Sequence, residues 1–179
     1  EMYFFLLCFN FQYVIFIQME GFEMSTIIKD VRDSEQIIEV IHAAFKRYEL
    51  DPMPSSALTE TASTIKKELE SNVRIFGTEV LGQIVGVVKV VYHKDYIYFS
   101  RLSVLPEYQG KGIASKLVTH IEKLAVNEQI PYVRCKVRKS EEANIRLYRK
   151  LGFHISIEEV MTSPLGFVME TLTMEKKVK

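Results

Sequence analysis

Apolar and polar positions change period repeatedly along the 179-residue chain. Thr26–Val31 (TIIKDV) is a short β-branched run and predicts a first strand. Asp33 then predicts a helix start, as N-cap with Gln36 at the capping-box position. Ile37, Ile38, Ile41, Phe45 and Tyr48 recur at helical spacing behind it. The segment Asp51-Pro52-Met53-Pro54-Ser55-Ser56 interrupts the chain, and a more polar helix is expected from about Leu58 to Leu69. Val73–Val80, Gln83–Tyr92 and Tyr96–Val104 predict three strands joined by connections short enough to make neighbours antiparallel. Gly112–Asn127 is the clearest helix, with Ile113, Ala114, Leu117, Val118, Ile121, Leu124 and Ala125 on one face. A strand over Tyr132–Val137, a helix over Glu141–Leu151 closed by Gly152, and strands near Phe153–Val160 and Phe167–Met174 complete the order. A strand meander followed by β-α-β-α-β predicts an α/β (α+β) domain, a mixed sheet covered by helices.

Residues 2–17 (MYFFLLCFNFQYVIFI) stand apart. The run is short of the ~20 residues a spanning helix needs. No Lys or Arg precedes Lys29, so it lacks the positive start of a secretory signal and the basic face of an interfacial anchor. The expectation is that residues 1–23 lie outside a single domain at 24–179, with Met24 a natural start that the gene's nucleotide sequence would decide. Membrane association is expected only if that tail is real. Two cysteines, Cys8 and Cys135, form no CxxC pair, and His42, His93, His120 and His154 show no metal-ligand spacing. No metal site is expected, and the compartment is read as cytoplasmic.

Net charge is zero, which argues against a dedicated nucleic-acid binder. The balance conceals an asymmetry. Residues 101–152 hold eleven Lys or Arg against five Asp or Glu, an excess of six that the rest of the chain offsets. A positive third suggests an anionic ligand there and a cationic one elsewhere.

Inside that third, Gln109-Gly110-Lys111-Gly112-Ile113-Ala114 leads directly into a helix. Two glycines one residue apart let the backbone turn sharply and approach a ligand. The unpaired amides of a first helical turn, with the helix dipole behind them, suit a pyrophosphate. The pattern is neither a Walker loop nor a dinucleotide fingerprint, because GK[ST] is absent and Ser115 replaces the third glycine. Further on, Asn144 and Tyr148 stand at i and i+4 and share a helix face.

Together these stretches resemble the GNAT superfamily of N-acetyltransferases. Residues 102–114 are similar to its acyl-CoA signature, with Gln109, Gly112 and Ala114 at its core, and Asn144 to Phe153 to its later Asn/Tyr/Gly-Phe element. The resemblance covers about Ser25 to Glu175. It implies a mostly antiparallel central sheet of about seven strands flanked by about four helices. It also implies acetyl transfer from acetyl-CoA to a primary amine by direct attack. The pantetheine would pair with Leu102, Ser103 and Val104. The pyrophosphate would sit on the amides of Gln109, Gly110, Lys111, Gly112, Ile113, Ala114 and Ser115. Asn144 would bond the pantetheine arm, and Tyr148 would be the catalytic acid at the departing sulfur. Lys111, Arg146, Arg149 and Lys150 are partners available to CoA phosphates.

Where many relatives place a glutamate, this chain has Ser100. Glu60, His93, Asp95 or a water chain are the remaining routes for the amine proton. Tyr98 and Ser103 are expected near the acceptor cleft, the Pro52–Pro54 connection and Met161–Gly166 as its walls, and Cys135 in the core. The acceptor is a small-molecule or peptide amine, with a cationic amine compatible with the acidic remainder. A homodimer is left open. The missing glutamate gives weight to a second reading, an acyl-CoA-binding sensor without turnover.

Overall fold

Seven strands and four helices follow in the expected order in a computed structural model that describes residues 26–178. The tail 1–23 lies outside the described residues. The strands are β1 (Ile27–Asp30), β2 (Val73–Val80), β3 (Gln83–Tyr92), β4 (Tyr96–Val104), β5 (Tyr132–Arg138), β6 (His154–Thr162) and β7 (Val168–Lys177). The helices are α1 (Ser34–Phe45), α2 (Ala62–Leu69), α3 (Ile113–Asn127) and α4 (Glu142–Lys150). The sheet order is β1-β2-β3-β4-β5-β7-β6, antiparallel throughout except for the parallel pair β4–β5. Among the described residues no helix is long and apolar enough to cross a membrane.

Each face of the sheet buries its own core. Ile37, Ile38 and Ile41 of α1 and Ile65 of α2 pack with Ile75, Ile84 and Val87 on one side. Leu117, Val118 and Ile121 of α3 and Ile145 and Tyr148 of α4 pack with Val85, Val88, Phe99 and Val133 on the other. Asp33 caps α1, accepting from the amides of Glu35 and Gln36 at 3.0 and 3.2 Å. The helix expected over 58–69 is divided. A 3-10 turn at Ser56–Thr59 precedes α2, because Thr61 and Thr64 form a reciprocal capping box that starts a new helix at Ala62. Tyr48 also leaves its helix, sitting in a 3-10 turn after α1 that carries it away from the core stripe.

Two irregularities shape the functional end of the sheet. Residues 100 to 103 of β4 bulge against β3, where Ser100 faces Lys89 and Ser103 faces Val87. Within the bulge Arg101 has φ +51°, a left-handed conformation that costs a non-glycine residue roughly 1–3 kcal/mol. The second irregularity is a split. β4 and β5 pair from Tyr96–Tyr132 to Phe99–Cys135 and then part, although both strands continue. Beyond that point β4 stays paired with β3 as far as Val104–Gly86 and β5 with β7 as far as Arg138–Thr171, so each strand keeps its outer neighbour while the two part from each other.

Candidate active site

A cleft of about 670 Å3 occupies the split. One wall is the β4–α3 junction. Pro106–Tyr108 forms a single 3-10 turn, and the chain enters α3 through Gly110 (φ +75°) and Gly112 (φ +78°). Neither glycine has a neighbour within 4 Å of where a Cβ would stand, so conformation, not space, requires them. Among the described residues the backbone amides of Gly110, Lys111, Gly112, Ile113, Ala114 and Ser115 have no protein acceptor; the first bond of the turn runs from Lys116 N–H to Gly112 O at 3.0 Å. Six consecutive donors without a protein acceptor at the positive end of a 15-residue helix make a candidate anion cradle. Gln109 stands outside that set. Its N–H donates to Pro106 O at 3.2 Å and its side-chain amide to Val104 O at 3.0 Å, so it braces the turn.

The facing wall is α4. Asn144 and Tyr148 both line the cleft. Tyr148 is packed edge-on against Phe99, ring centroids 5.7 Å apart, beside the point where β4 and β5 separate. Burial, first, and the nearby Cys135, Tyr98 and Tyr48 raise its pKa well above the ordinary phenol value. It is therefore a neutral hydrogen-bond donor throughout the working pH range. Cys135 also borders the cleft, but burial pushes its thiol up, away from the thiolate a nucleophile requires.

Other expected residues fall elsewhere. Leu102, Val104 and Lys150 line the cleft; Ser103 does not, being buried with its hydroxyl on Arg101 O at 3.0 Å. Lys111 lies over the Tyr108 ring outside the lining, and Arg146 is exposed and paired with Glu142 at 3.0 Å. Arg149 is exposed and also outside the lining. Tyr98 and Ser100 border the cleft, as does Ser55 after the Pro52–Pro54 connection, but Met161–Gly166 does not. Of the proposed proton routes, Glu60 is held between Lys89 (2.8 Å) and Arg101 (2.7 Å) behind the bulge. His93 stacks on Tyr96 at the opposite end of β4, with Asp95 in the same turn. None of the three lines the cleft.

The carboxylate that does line it is Glu141, alone of its kind among the described lining residues. It caps α4 in sequence with Asn144 and Tyr148, at i, i+3 and i+7, a helical periodicity that could have revealed it. Its Oε2 accepts from Tyr48 Oη at 2.6 Å and from Arg47 at 3.3 Å; Oε1 has no partner among the described residues. Burial and the bond to Glu141 push the Tyr48 phenol up to about 12. Among the described residues no group of three His, Cys, Asp or Glu side chains is placed to hold a metal.

Known proteins share the fold. A curated acetyltransferase of Sodalis glossinidius (strain morsitans) is 34% identical over 79 residues, 43% of this chain and 54% of the relative, so the chain spans about half the length of the curated relatives it matches. The ribosomal-protein-S18-alanine N-acetyltransferase of Escherichia coli superposes with a TM-score of 0.70 at 17% identity, over 87% of this chain and 95% of that one. The PaiA N-acetyltransferase of Thermoplasma acidophilum, solved in complex with coenzyme A, gives 0.70 at 20% identity, over 86% and 99%. These likenesses show the fold, and the sequence profile of the acetyltransferase (GNAT) family matches residues 36–153. The chain belongs to the acetyltransferase (GNAT) family.

Proposed function

We propose that the protein transfers the acetyl group of acetyl-CoA to a primary amine by direct attack. The observation that carries this reading is the run of six unpartnered amides at 110–115, facing a phenol across a split in the sheet. The amides of Gly110 to Ser115 take the diphosphate. The free edge of β4 beyond Phe99 pairs with the pantetheine arm, and Asn144 bonds that arm. The amine lone pair attacks the thioester carbon from the α1–α2 side. The C–N bond forms, the C–S bond breaks, and its electron pair leaves on sulfur. Tyr148 donates a hydrogen bond to that sulfur. Because the thiol pKa is ~8.5 and the phenol's lies higher, the proton is shared as charge develops and solvent completes protonation of the thiol. Before attack the ammonium loses one proton through water to Glu141 Oε1; the second, shed by nitrogen as the amide forms, passes to solvent and balances the one the thiol takes up.

Thiol release from acetyl-CoA with a panel of amines tests the reading. Tyr148→Phe should lower kcat about 100-fold while acetyl-CoA affinity stays within about twofold. An unchanged rate with a cognate acceptor would remove Tyr148 from this role. Glu141→Gln should lose more rate near neutral pH than at alkaline pH, where free amine needs no base; an unaltered pH profile would exclude Glu141. Acetyl-CoA binding without turnover on any amine would instead favour the sensor reading.

A further inference from the structure

The two flanks of the cleft differ in how their charges are satisfied. On β5, Val133, Cys135 and Val137 turn into the α3–α4 core, so Lys136 and Arg138 project to the α1–α2 face, where the acceptor would enter. Four cations line the cleft there: Arg47, Arg101, Lys136 and Arg138. Three have carboxylate partners, with Arg47 on Glu141 at 3.3 Å, Arg101 on Glu60 at 2.7 Å and Lys136 on Glu159 at 2.6 Å. Arg138 has none among the described residues. Its guanidinium donates to two main-chain carbonyls, Met53 O and Pro54 O, the latter at 3.0 Å. Those bonds fix its orientation and pin the α1–α2 connection but leave its charge uncompensated. Three of its five N–H donors remain uncommitted. A half-buried guanidinium held in place, with open donors beside a cleft, is organised to receive a planar or tetrahedral oxyanion.

Resting on the transferase reading, we propose that the acceptor is an amine that also carries an oxyanion, carboxylate or phosphate, which Arg138 binds. Three residues of extended strand, about 10 Å, separate Arg138 from the branch point at Cys135. That span is the upper scale for the separation of amine and anion in the acceptor, which fits a compact molecule carrying both. Such an acceptor replaces the cationic amine that the acidic remainder of the sequence suggested. The one carboxylate among the described lining residues, Glu141, is already paired through Oε2 with Arg47 and Tyr48.

The test compares acceptors matched in length: an amino-carboxylate, an amino-phosphate, the amide-blocked counterpart and a diamine. Wild type should prefer one of the two anionic amines by at least tenfold in kcat/KM, and which one identifies the oxyanion. Arg138→Gln should erase that preference, lowering kcat/KM for the anionic amine at least 30-fold while neutral amines change less than threefold. Arg138→Lys should restore part of the loss. A preference for the diamine or the amide would overturn the proposal, as would an equal loss for every acceptor, which marks a loop clamp, or a loss of acetyl-CoA affinity, which marks a donor-phosphate site. Calorimetry on CoA-saturated protein separates this proposal from the transferase reading. Binding of the anionic amine to wild type and not to Arg138→Gln supports the oxyanion site even without turnover, and no binding to wild type overturns it.

Discussion

His120 shows how one residue can be out of step with its surroundings. It lies in α3 with its ring against Phe76, centroids 4.9 Å apart, and its Nε2 is enclosed without a hydrogen-bond partner among the described residues. Burial, and then Lys123 and Arg74, lower its pKa below the ordinary value of 6.5. Above pH 6.5 both folded and unfolded chains carry it neutral, and the fold has its full stability. As pH falls through 6.5, the unfolded chain takes up the proton first, so stability declines until the folded histidine also titrates. Urea midpoints at pH 7.5 and 5.0 should fall less in His120→Leu than in wild type. An equal fall in both would show that His120 does not contribute to acid sensitivity. At this scale the sequence identified residue types but not their partners. Glu60 and Glu141 are both acidic residues near helix starts. Only their neighbours distinguish a carboxylate locked between Lys89 and Arg101 from one with an oxygen open to the cleft.

Local elements were the most legible part of the chain. The three central strands fall on their expected residues because alternation and tight turns are written locally. Likewise Gly112 ends up as the N-cap of α3 and Gly152 as the positive-φ residue after α4, as glycine's conformational freedom dictates. Gly112→Ala would be free of steric clash yet would have to hold φ near +78°, a strain of about 1–2 kcal/mol. The amides of the cradle should then misalign. Acetyl-CoA affinity is expected to fall roughly tenfold with little change in far-ultraviolet circular dichroism, as read by titration calorimetry. Wild-type affinity would show that the α3 start does not hold the diphosphate. The bulges were less legible, since a one-residue slip in register leaves no mark on composition. In β3 the inward positions change phase at Gly86, with Val85 on one core and Val87 on the other. An added Cβ there would lie 2.9 Å from Ile113 Cγ2, so α3 sits directly on that glycine.

Across the whole molecule, the bulge in β4 and the split between β4 and β5 together frame the candidate site. β4 bulges at Arg101, whose guanidinium is tied to Glu60 and to Ser56 Oγ at 3.1 Å. Lys89, nearly fully buried, shares Glu60 and also meets Glu68. This ion network holds the strained residue from the α1–α2 side, and buried pairs of this kind are costly to break singly. From the other side, Tyr148 and Phe153 fill the space against Phe99. Between them the β4–β5 pair opens, and the Arg47–Tyr48–Glu141 cluster bridges α1 to α4 across the opening. The positive third of the sequence therefore divides in two. Part borders the cleft from α4 through Lys150, and part reaches the α1–α2 face through Lys136 and Arg138.

The order of strands and helices, the glycine turn into α3 and the helix face shared by Asn144 and Tyr148 were determined by the sequence itself, because each depends on conformational preferences acting within a few residues. The split between β4 and β5, the engagement of Glu60, the carboxylate at Glu141 and the uncompensated charge of Arg138 were decided by tertiary structure. Each depends on groups tens of residues apart, and whether a charge is spent or available is settled only by what the fold places beside it.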